Sequence, residues 1–462
     1  MEDSNNNIIT TSENSENVNR EQIFENKLKE VFYNSFTTEE SDEKENKVDN
    51  DFCLLEKSVV LNDVKDNIEN KKYYDINGLK KELNFKKKYK KFHLFYNDLN
   101  LSEDKVIYKL GKVLLFTYRK NFPKITNYKT QKTYTTDAWW GCMIRCGQMI
   151  LSRGIYRLLK KENFSTKDAL YYTVALFRNY PIKTENLHVY FRGMIKKYNS
   201  TLPPDKKIKD FYPPFSIKNI CEVGELYERT AGEWFSDVIV TNVFKHISEY
   251  FDLFKNDLKV KILTFQSSLQ IQDILNECFI QKDYEKGNEQ YIKSKGKYYY
   301  YDKKGIVFVS IRVGLEKIPV EYYKGIFELF SLKECIGIIG GKTRQAYYFI
   351  GYNDEENSLL YLDPHVIKES DKEVTHQNIL LKNVSKEIHS LKMSKMSTAF
   401  TIGFCFRSYD EFLELFGFWQ KAKQSESPIL GVIKQPIVVD GKEDEDNDKS
   451  TEPYEDKDED DF

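Results

Sequence analysis

The chain has 462 residues, of which 40% are hydrophobic and 15% aromatic, and its formal net charge is −2. This aromatic content excludes a mostly disordered chain, and the length leaves room for one large domain or two smaller ones. No apolar run reaches the length of a membrane-spanning helix, and the polar, acidic N-terminus lacks the pattern of a signal peptide. We therefore expect a soluble, cytoplasmic protein.

The small net charge conceals two acidic ends. Residues 1–60 carry fifteen acidic and six basic side chains, and residues 440–462 carry thirteen acidic side chains and three lysines. Acidic composition of this kind is typical of solvated segments. The basic middle could face an anionic membrane surface or an acidic partner, whereas no nucleic-acid recognition motif is present and nucleic-acid binding is not expected.

These shifts in composition divide the chain into three parts. We expect a disordered polar extension over residues 1–85, a globular domain over residues 86–434, and a disordered acidic tail over residues 435–462. Within the domain, residues 278–304 are rich in lysine and tyrosine without steady periodicity, which indicates a surface insertion.

The first predicted element of the domain carries a candidate nucleophile. A polar, aromatic stretch from Thr133 ends at Cys142, and from Met143 to Lys160 apolar residues recur at the spacing of one helix face. Cys142 therefore lies where a loop becomes a helix, and the unpaired N–H groups and partial positive charge of a helix N-terminus favour a thiolate. The alternative is a buried cysteine that only packs.

The other cysteines give no sign of a metal site. All seven are widely scattered, with no CxxC pair, so neither a disulfide framework nor a structural metal is indicated, and no cofactor is expected. Cys146 lies about one helical turn after Cys142, where packing is the expected role and redox sensing the alternative.

The later elements change from helical to strand-like. Helical spacing predicts helices over residues 165–177 and 241–254. Short apolar or alternating runs then predict strands, and a closing helix is predicted over residues 410–418. A nucleophile-bearing helix followed by an antiparallel sheet is an α+β layout. The predicted strands are residues 305–313, 336–340, 346–352, 358–362 and 400–406, with residues 353–357 as a hairpin loop.

The second candidate site is the Asp363-Pro364-His365 sequence that follows the hairpin. A thiolate nucleophile needs a base, and that base needs an orienting group on its other nitrogen. Residues i and i+2 of an extended strand point to the same face, so Asp363 and His365 can lie side by side. A structural turn is the alternative interpretation of this tripeptide.

Eight short motifs, in order over about residues 105–420, make the chain resemble the autophagins. These are autophagy cysteine peptidases of the papain-like superfamily, which process the ubiquitin-like autophagy modifier. The matching stretches are FTYRKNF (116–122), WGCMIRCGQM (140–149), GEWF (232–235), IRVGL (311–315), IGIIGGK (336–342), YFIGY (348–352), LDPH (362–365) and GFCFRSYDEF (403–412).

The resemblance implies a papain-like fold and a role for each matching residue. Cys142 corresponds to the nucleophile, His365 to the general base and acid, and Asp363 to its orienting partner. Tyr118 matches the tyrosine whose hydroxyl completes the oxyanion hole with the N–H of Cys142. Trp234 matches the tryptophan that covers the active-site entrance. A regulatory loop that lifts when the substrate tail enters is matched by Gly340, Gly341, Lys342 and Thr343.

The resemblance also implies the substrate. The enzyme would cleave the modifier after the glycine near its C-terminus and release it from phosphatidylethanolamine, acting as a monomer with transient membrane contact. Two alternatives stay open: a non-catalytic scaffold that binds the modifier, and a papain-like peptidase of broad specificity.

The chain departs from the family pattern at three positions near these motifs. Trp139 replaces the usual glycine, Thr343 the usual loop proline, and Tyr347 a common histidine. In the extension, Phe52 and Leu55 have the aromatic-x-x-aliphatic form by which partners add a strand to the modifier, which is a possible docking motif or a chance pattern.

Overall fold

The computed structural model describes most of the domain between residues 93 and 439. It covers residues 93–95, 112–162, 164–183, 210–251, 258–284, 290–370 and 388–423, with short pieces at 193, 196, 199–200, 203–204, 254, 429, 431–433 and 437–439. The predicted extension, with its docking motif at Phe52 and Leu55, lies outside these residues. In the described part of the chain, no helix combines the length and the apolar character needed to cross a membrane.

The described residues form seven α-helices and nineteen strands. The helices are α1 (Cys142–Lys161), α2 (Thr166–Ala175), α3 (Ile217–Gly224), α4 (Asp237–Tyr250), α5 (Ile271–Cys278), α6 (Tyr323–Leu329) and α7 (Tyr409–Lys423). The strands are β1 (His93–Leu94), β2 (Arg119–Thr126), β3 (Thr133–Thr136), β4 (Ile182–Lys183), β5 (Asp210–Phe211), β6 (Val260–Gln266), β7 (Ser268–Gln270), β8 (Phe279–Lys282), β9 (Tyr291–Ser294), β10 (Lys297–Tyr301), β11 (Lys304–Arg312), β12 (Cys335–Lys342), β13 (Gln345–Asn353), β14 (Ser358–Leu362), β15 (Lys368–Glu369), β16 (His389–Lys392), β17 (Ala399–Phe406), β18 (Gly431–Ile433) and β19 (Ile437–Val439).

A central sheet organises the domain and confirms the predicted α+β class. Its strands lie in the order β16–β14–β13–β12–β17–β11–β6, and β1 pairs with β13 beside this path. All neighbours are antiparallel except β11 and β6, which run parallel. The five predicted strands correspond to β11, β12, β13, β14 and β17, whereas β6 was not predicted.

The central sheet is buried on both faces because successive side chains of a strand point in opposite directions. In β11, Ile306 and Phe308 enter the core that contains α1, while Val307 and Val309 enter a second core on the other face. Helix α1 approaches the sheet so closely that a Cβ at Gly154 would lie 3.0 Å from the Cδ1 atom of Ile306. This packing fixes the position of the N-terminus of α1 relative to the strands.

Two of the predicted helices begin directly after a serine whose side chain caps the helix N-terminus. Ser165 accepts a hydrogen bond from the N–H of Asp168 at the start of α2. Ser236 does the same for Ile239, so α4 begins before the predicted position at residue 241 and ends at Tyr250. A serine side chain satisfies an N–H group that has no partner within the helix, which sets where each helix starts.

The lysine- and tyrosine-rich segment at residues 278–304 supplies strands β8, β9 and β10 of a small sheet. The four strands of this sheet lie in the order β19–β9–β10–β8. Strands β9 and β10 are joined by Lys295 and Gly296, which both have positive φ, as a two-residue hairpin of type I′ requires. Strand β19 lies within the segment that the composition assigned to the acidic tail, and it pairs with β9.

Candidate active site

Cys142 is the first residue of α1 and is fully buried. The residue before it, Gly141, is the N-cap and supplies no capping side chain, and the first turn contains no acidic residue. The sulfur therefore lies at the positive end of a helix of about 30 Å, an environment that stabilises a negative charge. The predicted loop-to-helix position of Cys142 agrees with this structure.

The loop before Cys142 is closed by the main chain of Asp137. The N–H groups of Trp140 and Gly141 donate to the Asp137 carbonyl over 3.3 and 2.8 Å. A Cβ at position 141 would lie 2.6 Å from the Oδ2 atom of Asp137, so only glycine fits there without a shift of the carboxylate. Gly141 thus allows the close approach that presents Cys142.

A buried ion pair between Asp137 and Arg145, which no sequence pattern predicted, supports this loop. Oδ2 of Asp137 accepts from Nε of Arg145 over 2.7 Å, and Oδ1 accepts from the N–H of Arg119 over 2.6 Å. Nη1 of Arg145 donates a hydrogen bond to Oε1 of Gln148. The amide N–H of Gln148 in turn donates to the Phe215 carbonyl over 2.7 Å. An arginine in the predicted apolar helix was the available signal, since buried charges must be paired.

His365 lies beside Asp363 as the sequence predicted. Its Nδ1 atom is 2.5 Å from Oδ1 of Asp363, and the same oxygen accepts from the His365 N–H over 2.9 Å. Both side chains are about a quarter to a third exposed, at 25% and 30%. The carboxylate therefore fixes both the main chain and the ring of His365.

The charges around His365 favour the imidazolium. Burial alone would lower its pKa, but the hydrogen bond to Asp363 and the charge of Cys142 together raise the pKa to about 9. Burial likewise tends to raise the pKa of Asp363, but the two hydrogen bonds from His365 hold that pKa below its usual value. Nε2 of His365 is buried and has no hydrogen-bond partner among the described residues, so it is the nitrogen left for Cys142.

Tyr118 lies against both Cys142 and His365. Its side chain is 3% exposed, and its ring meets the imidazole edge-on with 5.5 Å between the centroids. Burial raises the pKa of the Tyr118 phenol, and the charge of Cys142 raises that pKa further. The hydroxyl therefore remains protonated beside the sulfur, where it can donate a hydrogen bond.

Tyr347 also packs its ring on His365. Its ring lies 5.6 Å from the imidazole and 4.2 Å from the ring of Tyr361, between centroids. Its hydroxyl donates to Oε1 of Gln345 over 2.9 Å. Tyr347 thus packs against His365 through its ring and directs its hydroxyl toward Gln345.

The loop that carries Trp234 flanks the segment before Cys142. A Cβ at Gly232 would lie 2.2 Å from the ring of Tyr134, and that ring packs against Trp140 with 5.8 Å between centroids. Trp234 itself is 37% exposed, just before the N-terminus of α4. This position is compatible with the predicted role at the entrance, which stays a prediction.

The interpretation of residues 340–343 as a loop needs correction. Gly340, Gly341 and Lys342 are the last residues of β12 and pair with β13, so only Thr343 and Arg344 form the turn. A Cβ at Gly341 would lie 2.0 Å from the carbonyl oxygen of Gln345, which explains the glycine by close packing of two strands. A gating movement here would first have to break strand pairing.

Trp139 occupies a backbone conformation that favours glycine. Its φ is +76° and its side chain is 85% exposed. A tryptophan in the left-handed region is strained by its Cβ. The turn that leads into Gly141 and Cys142 forms despite this strain, and the indole of Trp139 points to solvent.

The cysteines in the described residues are all unpaired and buried. Burial raises the pKa of the Cys146 thiol, as do the nearby charges of Cys142 and Asp363. A thiol held protonated in this way is a poor target for oxidation, which favours packing over redox sensing for Cys146.

Comparison with known proteins places this site in a family. Residues 103–417 match the Peptidase C54 catalytic domain. Cysteine protease ATG4C of Xenopus laevis is 27% identical over 322 residues, which cover 64% of this chain and 66% of the relative. The human ATG4C is 26% identical over 331 residues, with 64% and 67% covered. A probable cysteine protease ATG4 of Scheffersomyces stipitis is 28% identical over 249 residues, with 53% and 38% covered.

The matched region spans about two thirds of the length of the vertebrate relatives. It contains Tyr118, Cys142, Asp363 and His365. The helix-borne cysteine and the histidine in the loop directly after β14 agree with the α+β, papain-like fold of this family. The chain therefore belongs to the peptidase C54 family of cysteine peptidases, the autophagins.

Proposed function

We propose that the protein is a cysteine endopeptidase that cleaves a ubiquitin-like autophagy modifier after its C-terminal glycine and releases it from phosphatidylethanolamine. The observation that carries the proposal is the position of His365, whose Nδ1 contacts Asp363, whose buried Nε2 is left without a partner among the described residues, and whose pKa is raised by the nearby Cys142. Family membership supports the peptidase class, and the ATG4 names of the relatives support a role in autophagy.

The chemistry begins with a thiolate–imidazolium pair. The Cys142 sulfur attacks the scissile carbonyl carbon, and the oxyanion that develops accepts hydrogen bonds from the Tyr118 hydroxyl and the Cys142 N–H. His365 then donates its proton to the leaving amine, which is a peptide nitrogen in priming and the ethanolamine nitrogen in delipidation. Water, deprotonated by His365, hydrolyses the thioester and restores Cys142.

Each supporting residue has a defined task in this scheme. Asp363 fixes the tautomer and orientation of His365 and stabilises the imidazolium. The ion pair of Asp137 with Arg145 holds the loop that presents Cys142. Trp234 would limit the entrance to a narrow substrate tail, in which glycine has no side chain to clash.

The substrate defines the expected partners and place of action. We expect a monomer in the cytoplasm that binds the modifier both free and linked to phosphatidylethanolamine, and contacts the membrane surface only while it acts. Gating by residues Gly340–Thr343, and docking through Phe52 and Leu55, stay parts of this proposal.

The proposal is tested with a modifier that carries a C-terminal reporter and, in parallel, with the same modifier linked to phosphatidylethanolamine on vesicles. Wild-type protein should release the reporter and free the modifier from the vesicles. Cys142→Ala should do neither while it still binds the modifier. Cys146→Ala, which removes a buried thiol one turn later, is the matched control and should retain activity.

Two other outcomes would replace the proposal. Tight binding of the modifier without cleavage by the wild-type protein would identify a scaffold. Hydrolysis of unfolded proteins and short peptides at rates comparable with the modifier would identify a peptidase of broad specificity.

A further inference from the structure

The small sheet of strands β8, β9, β10 and β19 has one face against the domain and one face outward. Ile292 and Tyr299 are 1% and 4% exposed, and the hydroxyl of Tyr299 accepts a hydrogen bond from Gln272 of α5 over 2.9 Å. Their neighbours along each strand point the opposite way. The sheet therefore presents a second set of side chains on its outer face.

The outer face combines stacked tyrosines with lysines, and we name it the tyrosine–lysine face. Tyr298 packs against Tyr291 and Tyr284, with 5.3 Å between the centroids in each case. Lys293 lies over the ring of Tyr298 at 5.6 Å. The face consists of Tyr284, Tyr291, Tyr298, Lys282 and Lys293, while Tyr300 points the same way but is buried at its base.

The charge of this region is positive and partly uncompensated. Lys293, Lys295 and Lys297 form no ion pair with any residue that the structure describes, and Asp283 is the one acidic residue in residues 279–284 and 290–301. Lys295 and Lys297 are exposed at the β9–β10 hairpin. The region is therefore complementary to an acidic segment, whose carboxylates can pair with the lysines and whose chain can also contact the tyrosine rings.

Strand β19 brings such a segment directly to this region. Its residues Val438 and Val439 pair with Lys293 and Ile292 of β9. The chain then continues at residue 440 into a stretch with thirteen acidic side chains and three lysines. The acidic stretch therefore begins at the edge of the tyrosine–lysine face.

We propose that residues 440–462 dock on the tyrosine–lysine face of the same chain. The face is three strand spacings wide, about 14 Å, and seven extended residues span about 23 Å. Strand β19 leaves β9 at Ile292, so the acidic run at residues 443–446 reaches Lys293 and the hairpin lysines by turning back over the face, a path that lies within this span. Tethering by β19 keeps this segment at a high effective concentration, so weak screened attractions suffice.

Docking at this place leaves the active site open. An ion pair between Lys304 and Glu162 joins the start of β11 to the residue after α1, so this end of the domain lies one helix length from Cys142, about 30 Å. The acidic segment would shield the lysines from other acidic partners without entering the catalytic cleft. The inference is therefore independent of the proposed function.

Zero-length carbodiimide cross-linking of the full chain tests the inference, because it joins a carboxylate to an amine only in direct contact. We expect residues 443–446 to be joined to Lys293, Lys295 or Lys297 at several times the yield seen for the exposed Lys317 and Lys324. The yield should be independent of protein concentration and should fall several-fold in 0.5 M salt, where the Debye length is a few ångströms.

Variants sharpen the test. The triple variant K293Q/K295Q/K297Q cannot form these cross-links, and in it the acidic segment should be joined to no lysine in preference to the others. The control variant K317Q/K324Q should give the same cross-links to Lys293, Lys295 and Lys297 as the wild-type protein. Equal yields at all exposed lysines of the wild-type protein would overturn the inference. A yield that rises with protein concentration would also overturn it, since the occupant would then be a second copy.

Discussion

The main-chain N–H of Tyr118 donates a hydrogen bond of 2.9 Å to the carbonyl of Pro364. The carbonyl of Tyr118 in turn accepts from the N–H of Lys368 over 2.9 Å. The segment with the proposed oxyanion-hole hydroxyl and the segment with Asp363 and His365 are therefore held together by their backbones. A substitution of the Tyr118 side chain can remove the hydroxyl without disturbing this connection.

We expect Tyr118→Phe to lower kcat by about 10²–10³-fold, as removal of a single oxyanion-hole donor does in other enzymes. The ring that packs on His365 is retained, so KM and thermal stability should stay close to wild type. Steady-state cleavage of the reporter-fused modifier measures the change.

Tyr347→Phe is the matched control for Tyr118→Phe. Tyr347 also packs its ring on His365, but its hydroxyl donates to Gln345. Its kcat should therefore stay within a few-fold of wild type. Equal losses in both variants would show that the Tyr118 hydroxyl has no special role.

Asp363→Asn should move the alkaline limit of activity to lower pH. In the wild type the hydrogen bond to Asp363 helps to raise the pKa of His365 to about 9, so the imidazolium persists below that pH and is lost above it. Without the carboxylate the pKa of His365 falls, and the alkaline limb of the kcat/KM profile should move to lower pH by a corresponding amount. Asp354→Asn, in the exposed hairpin turn, should leave the limb in place.

The sequence predicted the reactive residues of the site, but not the buried residues that hold them in place. Cys142, Asp363 and His365 were predicted because a loop-to-helix boundary and a strand ending in Asp-Pro-His are local patterns. The ion pair of Asp137 with Arg145 was missed, since Asp137 precedes the helix and its burial depends on packing from distant segments. Local patterns identify reactive groups, but burial decides which charged residues hold them.

Five strands of the central sheet were predicted, but the strands of the small sheet were not. Residues 291–301 show no steady alternation in hydrophobicity, because the outer face of the small sheet carries tyrosines where solvent-exposed strands usually carry polar residues. Gly340 and Gly341 suggested a mobile loop, although both are needed for close contacts within the sheet. A glycine pair does not by itself distinguish movement from tight packing.

Asp137→Asn should destabilise the protein by about 3–5 kcal/mol, because it leaves the charge of Arg145 buried and uncompensated. It should also lower kcat, since the loop before Cys142 loses its anchor. Chemical denaturation and reporter cleavage measure the two effects. Lys333→Gln breaks the exposed pair with Glu414 and should cost less than about 1 kcal/mol. A loss below 1 kcal/mol in Asp137→Asn would contradict the anchoring role.

Trp139→Gly tests whether the exposed tryptophan contributes to folding. Glycine adopts the φ of +76° without strain, which gains about 1 kcal/mol, but it gives the unfolded chain more freedom at a cost of about 0.5–1 kcal/mol. The free energy of unfolding should therefore stay within about 1 kcal/mol of wild type. Trp140→Gly removes an indole that is 7% exposed and donates to the Thr136 carbonyl over 3.0 Å, so it should cost at least about 3 kcal/mol. A loss of 2 kcal/mol or more in Trp139→Gly would instead show that the indole packs against the domain.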